Sequence, residues 1–557
     1  MVAAHPELLW VVVTSGIVCA VMAMAIGAND VANAFSTSVG SGSLKLRTAV
    51  SIAFVFEIVG ALFLGGSVTD SIRSKVLNFD AFQDAPEDLA MGMMCASAGT
   101  TVWLVISTWL GMPVSTTHSI IGALAGFGVA SGRMHSIRWM QMFYIVLSWI
   151  IVPMIAVVVS CATYILLQEV ILKRKDSFII MWYSAWFLLT ITSMPLVIFV
   201  SYENFFMRTN VTEGGLFNYQ QWFKGSSGNK AIVVLVVLIF VVSILATFAY
   251  ICAHGRIKRG WSFLDNQNNE HAQLQKKRKS FSHKEAIRIS QSMELKVGSN
   301  NLEVTDISNS IVSSKSGLEL LLQSAVENDD EPQIPVENIK QTNYHKTEVI
   351  FSAMQIIGAV TVVISHSAND TANAVAPFAT VMLIYLYGIT DNVVSTPWYI
   401  LLGGGLCMSI GLSLFGYKVI KTVGLKLARV TPSKGYTIDT TAGSLVLILS
   451  HIGVPLSSTH CTVSSILGVG LVENLKSQEL NEEVAVIELK VPSNSWWGKS
   501  PIFKRITTNS VNLKLYRKIF LTWITTMLFS GIISAIIFVV MVFCRKIVTG
   551  GYNSANV

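Results

Sequence analysis

Two polar segments inside long apolar stretches carry the residues with the clearest chemical potential. Residues 27–34 read Gly-Ala-Asn-Asp-Val-Ala-Asn-Ala, and residues 367–374 read Ser-Ala-Asn-Asp-Thr-Ala-Asn-Ala. A charged aspartate at membrane depth costs about 3 kcal/mol, so Asp30 and Asp370 are functional candidates by default.

Each segment supplies the oxygen atoms that a hard cation prefers. Asn29 and Asn33 are four residues apart and share one helix face, with Asp30 about 100° away on the helical wheel. An interruption of the helix near Gly27 turns Asp30 toward the same space. Carboxylate, amide and freed carbonyl oxygens suit Na⁺ or a proton rather than a soft metal. The predicted cation ligands are Asn29, Asp30, Asn33, Asn369, Asp370 and Asn373. The alternative is that the asparagines only hydrogen-bond neighbouring helices.

A second repeated pattern predicts an anion site. Residues 111–118 read Gly-Met-Pro-Val-Ser-Thr-Thr-His, and residues 453–460 read Gly-Val-Pro-Leu-Ser-Ser-Thr-His. A proline followed by hydroxyl residues and an apolar run indicates a break and then a new helix N-terminus. Such a terminus offers unpaired N–H groups and a positive dipole end, which attract anions. The hydroxyl groups belong to Ser115, Thr116, Thr117, Ser457, Ser458 and Thr459. A simple proline kink is the alternative.

The two motifs recur in the same order, so the chain contains a duplicated unit. The offset is 340 residues from Asn29 to Asn369 and 342 from Ser115 to Ser457. The first copy begins near a terminus with no basic residue, whereas the second follows a long basic loop. The copies therefore approach their motifs from opposite sides, and such inverted repeats with broken helices indicate a secondary transporter.

The composition places the whole chain in a membrane. Of 557 residues, 52% are hydrophobic and 13% are charged, against about 25% charged in soluble domains. The expected fold is all-α and polytopic, with two inverted repeats, broken or re-entrant helices and about 10 to 13 membrane segments. The net charge of +7 comes from loop lysines and arginines that orient a membrane protein, so no nucleic-acid partner is expected. The seven cysteines lie in or beside apolar runs, and no metal other than Na⁺ is expected.

The loops predict three regions and an orientation. The first membrane half is 1–253, a polar and largely disordered cytoplasmic loop is 254–346, and the second membrane half is 347–557. Basic residues also place 474–517 in the cytoplasm. Residues 202–230 then face outside, where Asn210 heads a glycosylation pattern, Asn-Val-Thr. Arg133 and Arg138 oppose this topology, because they fall in a predicted external loop.

These four motifs, in this order, closely resemble the signatures of the inorganic phosphate transporter (PiT) family of sodium– or proton–phosphate symporters. The resemblance covers about residues 8–253 and 347–545. It implies that inorganic phosphate is the anion, bound by the two hydroxyl motifs with Asp30 and Asp370, and that an inward cation gradient drives uptake. It also implies that Glu57 is an acidic residue needed for transport. The family's second such glutamate falls at Asp439, and Ser367 stands where the family usually has Gly.

The sequence thus predicts a non-enzymatic symporter that imports inorganic phosphate by alternating access. It needs no cofactor beyond a coupling ion, which is Na⁺ or, as the alternative, H⁺. Its expected location is the plasma membrane, and a homodimer could form. Three other hypotheses stay open. The protein could be a transporter of another tetrahedral oxyanion such as sulfate, a non-transporting receptor or channel, or a hydrolase using Ser115, His118 and Asp30. No nucleophile elbow supports the hydrolase. The membrane histidines are expected to be hydrogen-bonded structural residues, with proton relay as the alternative.

Overall fold

The computed structural model describes residues 4–205, 336–388, 396–451, 456–479 and 511–548. Asn210 and most of the segment 254–346 lie outside the described residues. The described part is helical, without strands, as expected. Its helices are α1 (Leu9–Ile26), α2 (Ala32–Gly40), α3 (Leu46–Lys75), α4 (Pro86–Trp109), α5 (Thr116–Ala130), α6 (Trp139–Leu167), α7 (Ser177–Phe205), α8 (Val336–Tyr387), α9 (Trp398–Phe415), α10 (Tyr417–Lys421), α11 (Pro432–His451), α12 (Ser458–Glu479) and α13 (Leu513–Val548).

Eight helical stretches among the described residues are long and apolar enough to cross a membrane. The exposed and buried residues of one of these helices, α13, show how the helices are arranged. On α13, Leu528, Ile532 and Ile536 are exposed, whereas Ser530 and Ser534 are buried. Lipid solvates large apolar side chains, and small or hydroxyl residues allow helices to approach closely. The chain is therefore a multi-pass membrane protein with a polar interior.

The first Asn-Asp motif lies in a π-helical turn that joins two helices. Residues Gly27–Val31 form this turn, and α1, the turn and α2 make one uninterrupted run. Gly27 packs against the backbone of α9, because a Cβ there would lie 1.9 Å from the carbonyl oxygen of Met408. Gly411 of α9 meets the carbonyl oxygen of Met24 in the same way. The expected interruption near Gly27 is thus a local widening of the helix, which π-turns often provide at functional sites.

The second Asn-Asp motif lies in a continuous α-helix. Helix α8 runs from Val336 to Tyr387 through the motif and through Pro377. The two copies therefore differ, because the first has a π-turn at this motif and the second does not. The helix begins within the segment 254–346, so residues 336–346 are helical rather than irregular.

Both hydroxyl motifs lie where one helix ends and the next begins, as predicted. Helix α4 ends at Trp109, Gly111 has a φ of 68° that favours glycine, and α5 begins at Thr116. In the second copy α11 ends at His451 and α12 begins at Ser458. Pro455 lies outside the described residues.

Arg133 has a local partner at its end of the molecule. Its guanidinium donates hydrogen bonds to both carboxylate oxygens of Asp84, each at 2.7 Å, and lies 5.2 Å from the centre of the Phe82 ring. The hydrogen bonds from Arg133 lower the pKa of Asp84 below its usual value. The arginine thus joins two loops, which gives a reason for its presence that is independent of membrane orientation.

We expect Gly27→Ala to lower the melting temperature of the detergent-solubilised protein. The added methyl group meets backbone, which cannot rotate away, and overpacking of this kind costs about 1–3 kcal/mol. Gly403→Ala is the control, because Gly403 lies on α9 with open space around its Cβ position. Equal melting temperatures for the two variants would contradict the close crossing of α9 and the π-turn.

Candidate functional site

Asn29 fixes the loop that leads into α5. Its amide nitrogen donates to Thr108 Oγ1 and to the carbonyl oxygen of Met112, both at 3.0 Å. Its amide oxygen accepts from the backbone N–H of Val114 at 3.0 Å. The side chain therefore sets the position of the first hydroxyl motif.

Asp30 and Asn33 meet a hydroxyl group from the other half of the chain. Thr459 Oγ1 donates to Asp30 Oδ1 at 2.7 Å and accepts from Asn33 Nδ2 at 3.1 Å. Asp30 Oδ2 and Asn33 Oδ1 are buried and have no hydrogen-bond partner among the described residues. Two buried oxygen atoms are thus free to accept from or coordinate a further group.

The second copy repeats this arrangement with the halves exchanged. Asn373 Nδ2 donates to Thr117 Oγ1 at 3.0 Å and to Asp370 Oδ1 at 2.9 Å. Asn369 Nδ2 donates to Asp370 Oδ1 at 3.1 Å and to the carbonyl oxygen of Leu456 at 3.3 Å. Asn373 Oδ1 is buried without a partner in the described part of the chain, as Asn33 Oδ1 is.

The exchange extends to the backbone. Thr117 Oγ1 is 3.0 Å from the carbonyl oxygen of Leu456, and Thr459 Oγ1 is 3.2 Å from that of Val114. Val114 and Leu456 occupy equivalent places in the two hydroxyl motifs. The two hydroxyl motifs thus contact each other through equivalent residues, and each also contacts the Asn-Asp motif of the opposite half.

Both new helices begin with a serine cap. Ser115 Oγ accepts from the backbone N–H of His118, and Ser457 Oγ accepts from that of His460, each at 3.2 Å. The first N–H groups of a helix have no partner within it. Thr116, Thr117, Ser458 and Thr459 are buried, and their hydroxyl groups contact the two Asn-Asp motifs. The two helix starts therefore converge on one polar centre, which can hold an anion.

The two aspartates differ in how well they are compensated. Asp370 Oδ1 accepts from Thr116 Oγ1 and Asp370 Oδ2 from Ser458 Oγ, both at 2.9 Å. His366 Nε2 lies 2.9 Å from Asp370 Oδ2. Asp30 has no histidine at the equivalent position on its own helix, because Ile26 precedes it by four residues.

His366 is the residue that sequence reasoning did not place in this centre. Its Nδ1 lies 3.8 Å from Glu57 Oε1, so the ring stands between Glu57 and Asp370. Both carboxylate oxygens of Glu57 are buried and lack a hydrogen-bond partner within the described ranges. The signal available in the sequence was the spacing of four residues between His366 and Asp370, which places them on one helix face.

Asp30, His366 and Asp370 form a cluster that could hold a cation. Each offers one ligand atom, and the three atoms lie within 4.8 Å of one another. The amide oxygens of Asn33 and Asn373 have no hydrogen-bond partner among the described residues. The amide nitrogens of the same two residues donate to groups of this polar centre. These hard oxygen donors fit Na⁺, with the imidazole as an additional proton-binding group.

Asp439 lies apart from this cluster, against the far end of α2. Its Oδ1 accepts from Thr37 Oγ1 at 2.6 Å, and Gln355 is a second side-chain neighbour of the carboxylate. Thr37 is seven positions beyond Asp30, two helical turns away. The structure therefore brings Glu57 to the cluster through His366, and Asp439 to a neighbouring polar position.

Ser367 is accommodated by a glycine opposite it. A Cβ on Gly60 would lie 2.7 Å from the Cβ of Ser367, so residue 60 leaves the space that the serine fills. The serine hydroxyl donates to the backbone carbonyl of Glu57. The departure from glycine thus links α8 to α3 beside the cluster.

A helical multi-pass membrane protein with a buried centre of carboxylates, amides and two helix starts has the elements of an ion-coupled carrier. The chain belongs to the phosphate transporter family, whose sequence pattern matches residues 26–534. This confirms the resemblance, and the family is one of transporters.

Individual relatives agree over nearly the full length. A sodium-dependent phosphate transporter of Plasmodium falciparum is 34% identical, with 95% of this chain and 97% of that protein covered. A protein of the same name from Toxoplasma gondii is 25% identical, over 96% of this chain and 97% of its own length. A solved structure titled "The sodium-dependent phosphate transporter" aligns with a TM-score of 0.64 at 23% identity, over 96% and 100% of the two chains. That likeness supports the fold.

We expect Thr459→Val and Asn33→Ala to be coupled in stability. The valine leaves Asp30 and Asn33 without their shared hydroxyl partner, and a buried unpaired polar group costs about 1–3 kcal/mol. Residues in one network show interaction energies of about 0.5 kcal/mol or more. Unfolding of the single and double variants in detergent measures this energy.

Thr380→Val combined with Asn33→Ala is the control pair. The Thr380 hydroxyl is buried but donates to Ala376 of its own helix. The control pair should therefore be additive, and additivity of the Thr459 pair as well would contradict the contact between the two halves.

Proposed function

We propose that this protein is a secondary symporter that imports inorganic phosphate together with a cation, with Na⁺ as the coupling ion, by alternating access. The observation that carries the proposal is the convergence of the α5 and α12 starts on Asp30 and Asp370. The phosphate ligands would be Ser115, Thr116, Thr117, Ser457, Ser458 and Thr459, with Asp30 and Asp370 beside them. The names of the relatives from Plasmodium and Toxoplasma support both phosphate and Na⁺.

Coupling follows from charge. A phosphate held by two helix N-termini lies near two carboxylates, and like charges repel strongly where the effective dielectric constant is low. Cations bound by Asn29, Asp30, Asn33, Asn369, Asp370 and Asn373 remove this repulsion. Neither ligand then binds well without the other, which is the thermodynamic basis of symport.

Proton coupling is the second candidate, and one observation favours it. His366 lies between Glu57 and Asp370 and contacts both. Histidine is the side chain whose charge changes most readily near neutral pH. A proton on His366 would neutralise part of the acidic cluster in place of a metal cation.

The orientation and repeats belong to the same proposal. The repeats would be inverted across the plasma membrane, with 254–346 and 474–517 in the cytoplasm and 202–230 outside, where Asn210 would be glycosylated. The exchanged contacts of Thr117 and Thr459 support a twofold axis through the centre. Alternating access would rock the two halves, 1–253 and 347–557, about this site.

We expect radiolabelled phosphate uptake into expressing cells or proteoliposomes to require Na⁺. Choline replaces Na⁺ at two pH values, because choline keeps the ionic strength and cannot enter a cluster of close oxygen ligands. Loss of uptake in choline at both pH values supports Na⁺ coupling, and uptake that depends on pH alone supports proton coupling.

Two results would overturn the proposal in different ways. Uptake that ignores both changes excludes coupling by either ion. Sulfate that competes as well as phosphate replaces the substrate by a broader class of oxyanions.

We expect Asp30→Asn to abolish cation-coupled uptake while the protein stays in the membrane. The change removes a charge, keeps the shape, and leaves an oxygen that can accept from Thr459. Asp80→Asn is the control, because Asp80 is exposed in the loop after α3. Surface labelling and uptake are measured on the same cells, and normal transport by the Asp30 variant would remove Asp30 from the cation site.

A further inference from the structure

Four aromatic rings form a continuous column behind the two helix starts. The ring centres of Trp149 and His118 are 3.5 Å apart, those of His118 and His460 are 4.4 Å apart, and those of His460 and Trp523 are 3.8 Å apart. The outer pairs are near parallel, at 26° and 34°, and the two histidines meet edge to face at 86°. We call these four residues the ring column.

The column is held mainly by contact between rings. Neither nitrogen of His460 has a hydrogen-bond partner in the described part of the chain, and neither indole N–H of Trp149 or Trp523 has one, whereas the imidazole of His118 also contacts the backbone of Trp523. The two histidines are 2% and 3% exposed. Both histidines are therefore buried and packed by rings, and His118 also contacts backbone.

Each histidine is tied to the site through the residue before it. Thr117 and Thr459 precede the two histidines and contact Asn373 and Asn33. The backbone N–H of each histidine is bonded to the capping serine of its helix. The contact between His118 and His460 is thus the point where the starts of α5 and α12 rest on each other. Trp149 on α6 and Trp523 on α13 close the column from outside.

We propose that the ring column positions the starts of α5 and α12 and so sets the size of the anion pocket between them. His118 and His460 are then positioning residues that act on affinity and selectivity without touching the anion. The inference rests on the proposed oxyanion site, but not on which oxyanion is transported. We therefore expect that replacing a histidine of the ring column by another flat aromatic ring preserves the size of the anion pocket.

The test compares His118→Phe with His118→Ala in the full-length protein. We expect His118→Ala to raise the phosphate KM about tenfold, or about 1.4 kcal/mol, because loss of the ring removes its contacts with Trp149 and His460 and lets the two helix starts shift. Vmax per transporter at the membrane should change far less. His118→Phe should restore the KM, because it restores the ring.

Anion selectivity separates a positioning role from a general loss of stability. A general loss of stability would not change the order of affinities for phosphate, arsenate and sulfate. Thermal stabilisation of the purified protein by phosphate, arsenate and sulfate measures binding of each anion without transport. Arsenate has longer bonds than phosphate, so a wider pocket in His118→Ala should raise the affinity for arsenate relative to phosphate. His118→Phe should keep the wild-type order.

Two further variants guard against a folding defect. Trp149 is half-buried, so Trp149→Leu removes an outer ring at lower risk and should shift the same ratio in the same direction. Phe529→Leu is the control, because it removes a ring stacked on Trp103 at 4.9 Å, between α4 and α13 and outside the column. That variant should leave KM and anion order unchanged.

The outcomes separate this inference from the proposed function. If the wild type binds an oxyanion but His118→Ala and Trp149→Leu keep its KM and anion order, the ring column has no positioning role. If His118→Phe is as impaired as His118→Ala, an imidazole nitrogen is needed and ring packing is not the cause. If the wild type binds none of the three anions, the oxyanion site itself fails, and this inference fails with it.

Discussion

The structure depends on burying two carboxylates, Asp30 and Asp370, where neither bulk water nor lipid can solvate their charge. Such groups persist only when hydrogen bonds or counter-charges surround them. Here the surroundings are the hydroxyl groups at two helix starts, and each carboxylate accepts at least one hydrogen bond from the opposite half of the chain. Three features bring these groups within hydrogen-bond distance of the carboxylates. They are the helix interruptions before α5 and α12, the backbone contact at Gly27 and the π-turn. The helical bundle is the scaffold for this pairing.

The centre repeats one amide–hydroxyl contact in both halves but is asymmetric in its charges. Asn33 and Asn373 make equivalent contacts with Thr459 and Thr117, but Asp370 also contacts His366. One carboxylate thus has a histidine four residues before it on its own helix, and the other does not. A carrier built from two related halves can in this way use equivalent ligand positions with different affinities. Ser367 directly follows His366 on α8, so both residues belong to the second copy.

The sequence predicted what depends on local chemistry. Pro113 and Ser115 mark a break and a cap within a few residues, and the spacing of Asn29, Asp30 and Asn33 is a local pattern. It could not predict features that depend on packing between distant segments. The π-turn is one such feature, because Gly27 meets α9 only in the folded bundle. The place of His366 is another, since its contact with Glu57 joins two helices that are far apart in the chain. The partners of His118 and His460 turned out to be rings from α6 and α13, which no local pattern indicates.

The crossed pairing of the halves has a consequence for biosynthesis. Asp30 enters the membrane early, yet the hydroxyl group that compensates it belongs to a residue 429 positions later. Ribosomal synthesis adds about 5–20 residues per second, so the carboxylate waits for tens of seconds. During that interval the first half must keep Asp30 protonated, hydrated or covered by a chaperone. The centre is thus among the last parts of the molecule to mature, and a truncated chain would expose an unpaired acid that quality control can recognise.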